Sequence, residues 1–174
     1  MSIAMRYDRG TIVLHWLTAV AVVVLWLIAQ FIDDFQDVGR IYARSSHILL
    51  GLALIAVVAV RLFWRGTGGR KLPPAAAGLM QVAATAVHYG LYALLIAMLA
   101  TGVANVLVRG DNILNLVQVP SIAPDDKALR HTIEDIHGLL ANGILILAGL
   151  HAAAALVHHF VWKDQVLRRM LASR

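Results

Sequence analysis

The sequence has no cysteine and few charged residues, and each shortage excludes a class of protein. Without cysteine there is no disulfide, no iron–sulfur cluster and no covalently attached c-type haem. Charged residues make up 14% of the chain, whereas soluble domains carry about 25%. The formal net charge of +5 is too small and too dispersed to indicate a nucleic-acid-binding surface. Redox chemistry in this chain would need a cofactor that is held by histidine or bound non-covalently.

Apolar residues dominate instead, since 60% of the 174 residues are hydrophobic and the mean hydropathy is +0.74. A soluble core of this size could not bury so much apolar surface, so we expect lipid to be the solvent. Four apolar segments reach the length of about 20 residues that a membrane helix needs. They cover about 11–32, 45–64, 82–108 and 136–162. The sequence therefore predicts an all-α integral membrane four-helix bundle, forming one domain over residues 1–174.

Basic residues are unevenly distributed along the chain. Ten of the fifteen lie in or next to the N-terminus, the second loop and the C-terminus, where only Asp8 and Asp164 are acidic. The other five share the opposite side with eight acidic residues. Because cytoplasmic loops carry the excess of basic residues, we expect both termini in the cytoplasm. The second segment contains one interior charge, Arg61, which is close enough to the segment end for its side chain to reach the interface. The ten basic residues are Arg6, Arg9, Arg61, Arg65, Arg70, Lys71, Lys163, Arg168, Arg169 and Arg174.

Eight histidines in so apolar a chain need an explanation. Ionisable side chains are costly in lipid, so we expect them to face the bundle interior and to serve a function. Zinc sites normally combine histidine with cysteine or carboxylate at one depth, and proton relays include Asp or Glu, yet no carboxylate lies mid-membrane. Haem b needs only two imidazoles on facing helices. Seven histidines lie within or at the ends of the apolar segments: His15, His47, His88, His137, His151, His158 and His159.

The spacing of His137 and His151 favours two haems. Fourteen residues of helix separate the two by about 21 Å along the axis, and a net rotation of about −40° leaves both on nearly one side. One helix can therefore supply a ligand to each of two haems, one near either membrane face. His47 lies at the level of His137, and His15 lies at the inner end with His151. The predicted pairs are His47 with His137 and His15 with His151.

The inner pair has competitors, because His88 and His158 also lie toward the cytoplasmic side, and depth alone matches His158 to His15 slightly better. A macrocycle lying against a helix needs small neighbours one turn from its ligand. The residue four positions after His88 is Tyr92, and the one after His158 is Trp162. Small residues follow the four preferred ligands at the same spacing, namely Ala19, Gly51, Ala141 and Ala155. This pattern favours His151.

The chain resembles the bacterial cytochrome b561 family. The resemblance rests on "LHWLT" around His15, "IHGLLANG" around His137, "GLHAAAALVHHFVWKD" over 149–164 and the spacing of His88 and Tyr92. It covers essentially the whole chain. It implies two haems b, with His15 and His151 as axial ligands of the inner haem and His47 and His137 as those of the outer. It also implies electron exchange with quinone and, in close relatives, a superoxide:ubiquinone oxidoreductase activity.

Further residues are candidates for binding the reactants. His158 or His88 could hydrogen-bond a quinone carbonyl, because neutral imidazole both donates and accepts. Arg9 and Arg44 each lie near a ligand and could pair with a haem propionate. Arg44 and Arg130, with the other basic residues of the outer side, could attract superoxide through a local basic patch. Superoxide oxidation needs no acid–base catalytic residue, because the cofactors perform the chemistry.

Two functions follow from these expectations. In the first, the protein is a superoxide oxidase of the bacterial inner (cytoplasmic) membrane that passes electrons from periplasmic superoxide to ubiquinone. In the second, it is the membrane cytochrome b subunit of a larger dehydrogenase or hydrogenase. The expected partners are the lipid bilayer, quinone and superoxide, with a second copy or a redox protein as a further partner. A transporter or a purely structural bundle would leave the histidine spacing unexplained.

Overall fold

Four long helices make up most of residues 6–171, which the computed structural model describes. Two short strands, β1 (Asn112–Ile113) and β2 (Val117–Gln118), pair antiparallel in the connection before the last helix. Two short 3-10 helices cover Ile32–Asp34 and Leu167–Met170. The helices are α1 (Arg9–Phe31), α2 (Asp37–Thr67), α3 (Gly78–Arg109) and α4 (Lys127–Phe160).

Each of the four helices is long and apolar enough to cross a membrane. Their most apolar windows have mean hydropathies between 2.0 and 2.5. Many large apolar side chains lie on the outer surface, Leu139 with 72% of its area exposed and Phe63 with 70%. Such a surface is expected where lipid replaces water. The predicted all-α, four-helix membrane fold is therefore confirmed.

All four helices begin earlier than the apolar segments predicted, α1 by only two residues. α2 starts at Asp37, α3 at Gly78 and α4 at Lys127, so the connection between α3 and α4 covers only 110–126 and contains the β1–β2 hairpin. Hydropathy marks only the part of a helix that suits lipid, whereas the helix itself extends through polar sequence as far as its capping residue. At α4 this cap is Asp126, whose side chain accepts a hydrogen bond from the Leu129 backbone N–H at 2.8 Å.

The helices pack as two hairpins, α1 with α2 and α3 with α4, which meet mainly through α2 and α3. The central apolar contact joins Leu54 and Val58 of α2 to Leu95 of α3, and Leu25 of α1 packs against it. α4 faces the first hairpin through two of its histidines. The space between α4 and the α1–α2 hairpin is therefore where the candidate site lies.

The N-terminal segment, the α2–α3 linker and the C-terminal segment lie together at one end of the bundle. The Tyr7 backbone N–H donates to the Arg169 carbonyl at 3.1 Å, and the Arg169 guanidinium donates to the Pro73 carbonyl at 2.8 Å. The Trp16 indole donates to the Met170 carbonyl at 2.9 Å. Most of the ten basic residues used for the orientation are therefore gathered at this end. Arg174 lies outside the described residues.

Asp8 fastens the start of α1 to the end of α2. Its carboxylate accepts hydrogen bonds from the Thr11 backbone N–H at 2.9 Å, the Trp64 indole at 2.8 Å and the Arg70 backbone N–H at 2.8 Å. Burial alone would raise the pKa of Asp8, but these bonds hold the pKa well below its usual range. The carboxylate is therefore ionised at physiological pH and can accept all three hydrogen bonds.

The orientation of the bundle in the membrane is a testable prediction. Because the basic residues gather at the end that carries both chain termini, we expect a C-terminal alkaline phosphatase fusion to be inactive in cells, since this enzyme becomes active only after export. A matched fusion placed after Ser121, in the α3–α4 connection at the opposite end, should be active. The reverse pattern of activities would invert every inner and outer assignment.

Candidate functional site

Two pairs of facing histidines lie at two levels of the bundle. The ring centroids of His47 (α2) and His137 (α4) are 6.3 Å apart, and those of His15 (α1) and His151 (α4) are also 6.3 Å apart. All four side chains are half-buried. These are the pairs predicted from the spacing on α4, and the structure brings both together.

The distance within each pair fits one metal ion between two imidazoles. Two in-line metal–nitrogen bonds of about 2 Å each, together with the offset from each nitrogen to its ring centre, place the centroids about 6 Å apart. Within residues 6–171 no group of three or more His, Asp or Glu side chains could hold a metal ion. Each pair could therefore supply two ligands, and a macrocycle such as haem would have to supply the others.

At the outer pair, the second nitrogen of each ring has a partner that fixes its protonation. His47 Nδ1 lies 3.1 Å from the Leu25 carbonyl, so this nitrogen carries the proton and donates it. His137 Nδ1 lies 3.0 Å from the Thr101 hydroxyl, which itself lies 3.0 Å from the Ala97 carbonyl and donates to it. Both rings therefore keep the Nε2 lone pair for a metal, as metal-ligating histidines normally do. This arrangement supports haem binding at the outer pair.

Two glycines leave room beside these ligands. A Cβ added to Gly102 of α3 would lie 3.2 Å from His137 Cε1, so a larger residue there would press on the ring. A Cβ added to Gly51, one turn after His47, would have no neighbour within 4 Å. Gly51 was expected to be small so that a macrocycle could lie against the helix, and open space does lie beside it.

The inner pair has a cation beside it. The Arg61 guanidinium of α2 lies 3.0 Å from His15 Nδ1 and 5.2 Å from the centre of the Tyr92 ring. Arg61 was expected to reach the interface, but its side chain turns inward to His15. The His88 ring lies 5.1 Å from that of His151, which is shorter than two in-line metal bonds require, and its Nδ1 lies 2.6 Å from the Ala84 carbonyl. His88 therefore lies beside the inner pair, but its ring is not placed to share a metal ion with His151.

His158 lies at the end of α4 and contacts a carboxylate. Its Nδ1 is hydrogen-bonded to Asp164 Oδ2, and Asp164 Oδ1 accepts from the Val166 backbone N–H at 2.9 Å. Burial alone would raise the pKa of Asp164, but the bonds from Val166 and His158 hold this pKa below its usual value. His158 is therefore engaged with a carboxylate, not paired with His15. His131 is exposed.

The outer arginines form an ion-pair network. Arg44 makes two hydrogen bonds to Asp111, and Arg109 makes one to Glu134 and lies 3.9 Å from Asp111. Asp111 is only 5% exposed, so the charge of Arg44 is largely neutralised within the protein. Sequence reasoning missed this partner, because Asp111 lies far from Arg44 along the chain. Arg9 is exposed at the start of α1, and Arg130 is half-buried with its Nε lacking a partner among the described residues.

The α3–α4 connection is also fixed to α2 beside the outer pair. The fully buried Ser45 hydroxyl accepts from the Leu114 backbone N–H at 2.8 Å and donates to the Asn112 carbonyl at 3.3 Å. Ser45 and Arg44 precede His47 on the first turns of α2. The β1–β2 hairpin therefore covers the outer end of the helix that carries His47.

Comparison with known proteins decides the family. The family model described as prokaryotic cytochrome b561 matches residues 6–173. The chain belongs to this family. It is 27% identical to the probable superoxide oxidase CybB of Yersinia pestis, over 97% of both chains. It is 29% identical to cytochrome b561 homolog 2 of Escherichia coli K12, over 95% of this chain and 91% of that one, and 29% identical to homolog 1, over 97% and 98%.

Family membership gives this cytochrome b561 its general class. It is a bacterial membrane protein of electron transfer, of the oxidoreductase type, and its family binds haem b. The two histidine pairs fit that group, since each offers two imidazoles across a space between helices. The predicted family is confirmed.

Proposed function

We propose that this cytochrome b561 binds two haems b and transfers electrons from periplasmic superoxide to ubiquinone in the bacterial inner membrane. The observation that carries the proposal is the pair of histidine contacts along α4, each with a centroid distance of 6.3 Å. Their ligands on α4 lie about 21 Å apart along its axis. Two such sites provide an electron path across much of the roughly 30 Å hydrocarbon layer.

The residues of the chain hold and orient the cofactors. When bound, each haem would supply one-electron redox chemistry, and ligation by two imidazoles would favour electron transfer over oxygen binding. His47 and His137 would hold the outer group, with Leu25 and Thr101 orienting their rings through Nδ1. His15 and His151 would hold the inner group. No residue has to act as an acid or base toward superoxide.

The overall reaction balances with two electrons per quinone. Two superoxide anions lose one electron each and become two molecules of oxygen, and the two electrons with two protons convert ubiquinone to ubiquinol. Protons are needed only at the quinone end. His158 is the candidate there, because it lies at the inner end of α4 and its hydrogen bond to Asp164 can orient a ring that exchanges a proton with a quinone oxygen. His88, beside the inner pair, is the alternative.

Attraction of superoxide falls to the basic residues that carry no ion pair. Because Asp111 neutralises Arg44, the charge of Arg44 contributes little to attracting an anion from solution. Lys127 and Arg130, on the first turn of α4, remain near the outer end, as does Arg40, whose guanidinium donates to the backbone carbonyls of Phe35 and Asp33. A basic patch raises the encounter rate with an anion, and the effect falls with salt because the Debye length is about 10 Å at 0.1 M.

Superoxide should reduce the haems of the purified protein. We expect the rate under a steady superoxide flux to fall as salt rises, and to fall about threefold or more in Lys127→Glu combined with Arg130→Glu. Lys71→Glu, at the opposite end of the bundle, is the matched control and should not change it. Haems that stay oxidised with superoxide but are reduced by a co-purifying dehydrogenase would establish the electron-transfer subunit instead. Fast, salt-independent reduction would remove the steering residues from the proposal.

Ubiquinone should then reoxidise the haems, and His158→Ala should slow only this half of the reaction. His131→Ala, which replaces an exposed histidine at the other end, is the control. Stopped-flow absorbance separates the two halves. If reoxidation is unchanged in His158→Ala and slowed in His88→Ala, the histidine that acts at the quinone is His88 and not His158.

A further inference from the structure

Arg61 is a cation within the membrane span that has no carboxylate partner among the described residues. The ion pairs found there use other arginines, whereas the Arg61 guanidinium contacts His15 Nδ1 at 3.0 Å and the Tyr92 ring at 5.2 Å. A charge within a membrane helix is costly. The aromatic face stabilises it partly, because the face of a ring attracts cations. The positive charge therefore has no anion to compensate it among the described residues, and it lies directly beside His15.

The outer pair has the opposite surroundings. Its two neighbouring arginines, Arg44 and Arg109, are each hydrogen-bonded to a carboxylate. Its two histidines donate from Nδ1 to a carbonyl and a hydroxyl, which makes each ring a more electron-rich ligand. An electron-rich ligand favours the oxidised metal, and a nearby uncompensated cation favours the reduced one. Both differences act in the same direction.

We propose that Arg61 is a positioning residue that sets the reduction potential of the inner haem above that of the outer haem, so that electrons run inward. This inference rests on the proposed function, since it requires two haems. The direction of electron flow then follows from a difference between two arginines. Arg44 is paired with a carboxylate, whereas Arg61 has no such partner among the described residues. An electron that enters at the outer pair then moves downhill to the end where His158 lies.

The contact with His15 changes when a metal binds. A guanidinium only donates, so His15 Nδ1 accepts here and the ring proton resides on Nε2. Coordination through Nε2 would require that proton to move to Nδ1, and the hydrogen bond from Arg61 would then be lost. With the guanidinium still beside the Tyr92 ring, its charge would act on the site without a hydrogen bond. At an effective dielectric constant of about 20, a unit charge about 8 Å away changes an equilibrium by more than about tenfold.

Arg61→Gln and Arg61→Lys test the proposal by spectroelectrochemical titration of the purified holoprotein. In Arg61→Gln the ratio of reduced to oxidised inner haem at a fixed potential should fall about tenfold, a shift of about 59 mV for one electron. The outer haem should keep its potential. Arg61→Lys retains the charge and should shift the inner potential much less. Arg65→Gln, which removes an exposed charge one turn further along α2, is the matched control and should leave the inner potential nearly unchanged.

The haem that shifts is identified in single-haem backgrounds. With His47→Ala, which leaves only the inner haem, Arg61→Gln should shift the single transition, and with His15→Ala it should shift nothing. An unchanged inner potential, or equal shifts for glutamine and lysine, overturns the proposal. If Arg61→Gln releases the inner haem, the inner and outer potentials are compared in the wild type and in Arg61→Lys. An inner potential below the outer one in either protein overturns the proposal. A wild-type protein with no haem overturns the proposed function instead.

Discussion

Purified His137→Ala should contain one haem per chain instead of the two proposed for the wild type, and so should His47→Ala. Each substitution leaves the outer site with one imidazole, and a six-coordinate iron held by two helices needs both. The 6.3 Å distance between the two rings suits two ligands of one ion, so either loss should have the same consequence. The haem content is measured by the pyridine haemochrome assay against the protein concentration.

Two further variants separate ligation from general damage to α4. His131→Ala, which replaces an exposed histidine on the same helix, should retain both haems. Thr101→Val removes the hydroxyl at His137 Nδ1 and keeps the ligand, so haem should bind about 10–100-fold more weakly. Two low-spin haems in His137→Ala would show that the outer site lies elsewhere.

The inner site gives the second large effect. His15→Ala and His151→Ala should each lose one haem and keep the outer one, since their rings are 6.3 Å apart and belong to α1 and α4. His88→Ala should keep both haems, because its ring lies only 5.1 Å from that of His151 and cannot share an ion with it in line. The same haemochrome assay, with reduced-minus-oxidised spectra, distinguishes which haem remains.

His158→Ala is the deciding control for the inner site. Depth in the sequence made His158 a competitor of His151, but in the structure its ring is hydrogen-bonded to Asp164. We expect this variant to keep two haems. Loss of one haem in His158→Ala, with two retained in His151→Ala, would make His158 the inner ligand and contradict the pairing proposed here.

The separation of the candidate ligand histidines along α4, and the side of the helix on which they lie, could be predicted from the sequence because both follow from helix geometry alone. His137 and His151 belong to one continuous helix, so their separation and relative rotation are set by residue count. The unusual cost of histidine in lipid indicated that they serve a function. The extent of the four apolar segments, in turn, predicted the membrane fold.

The partners of those ligands could not be predicted, because they depend on contacts between helices. Nothing in the sequence relates Leu25 to His47 or Thr101 to His137. Arg61 was visible as a charge within an apolar segment, but position alone could not distinguish a side chain that reaches the interface from one that turns to His15. A polar residue inside an apolar run, as at Thr101, is the signal that could have indicated such a partner.

The prediction for the outer arginines failed to anticipate Asp111 for the same reason. Arg44 was considered for its charge near His47, and the residue that neutralises it comes from the α3–α4 connection. Asp111 is almost fully buried, and burial of a carboxylate is favourable only when it is paired. Arg44 therefore holds the outer connection against α2, which leaves Arg40, Lys127 and Arg130 as the residues to test for attraction of superoxide.

The haem content of the wild-type protein tests the central claim most directly. The protein is purified in detergent, and haem b is measured by the pyridine haemochrome assay against a protein concentration from amino-acid analysis. Two histidine pairs, each with the spacing of a two-imidazole site, predict two haems b per chain, both low-spin. A ratio of one or zero, or a high-spin haem in the fully loaded protein, would contradict it.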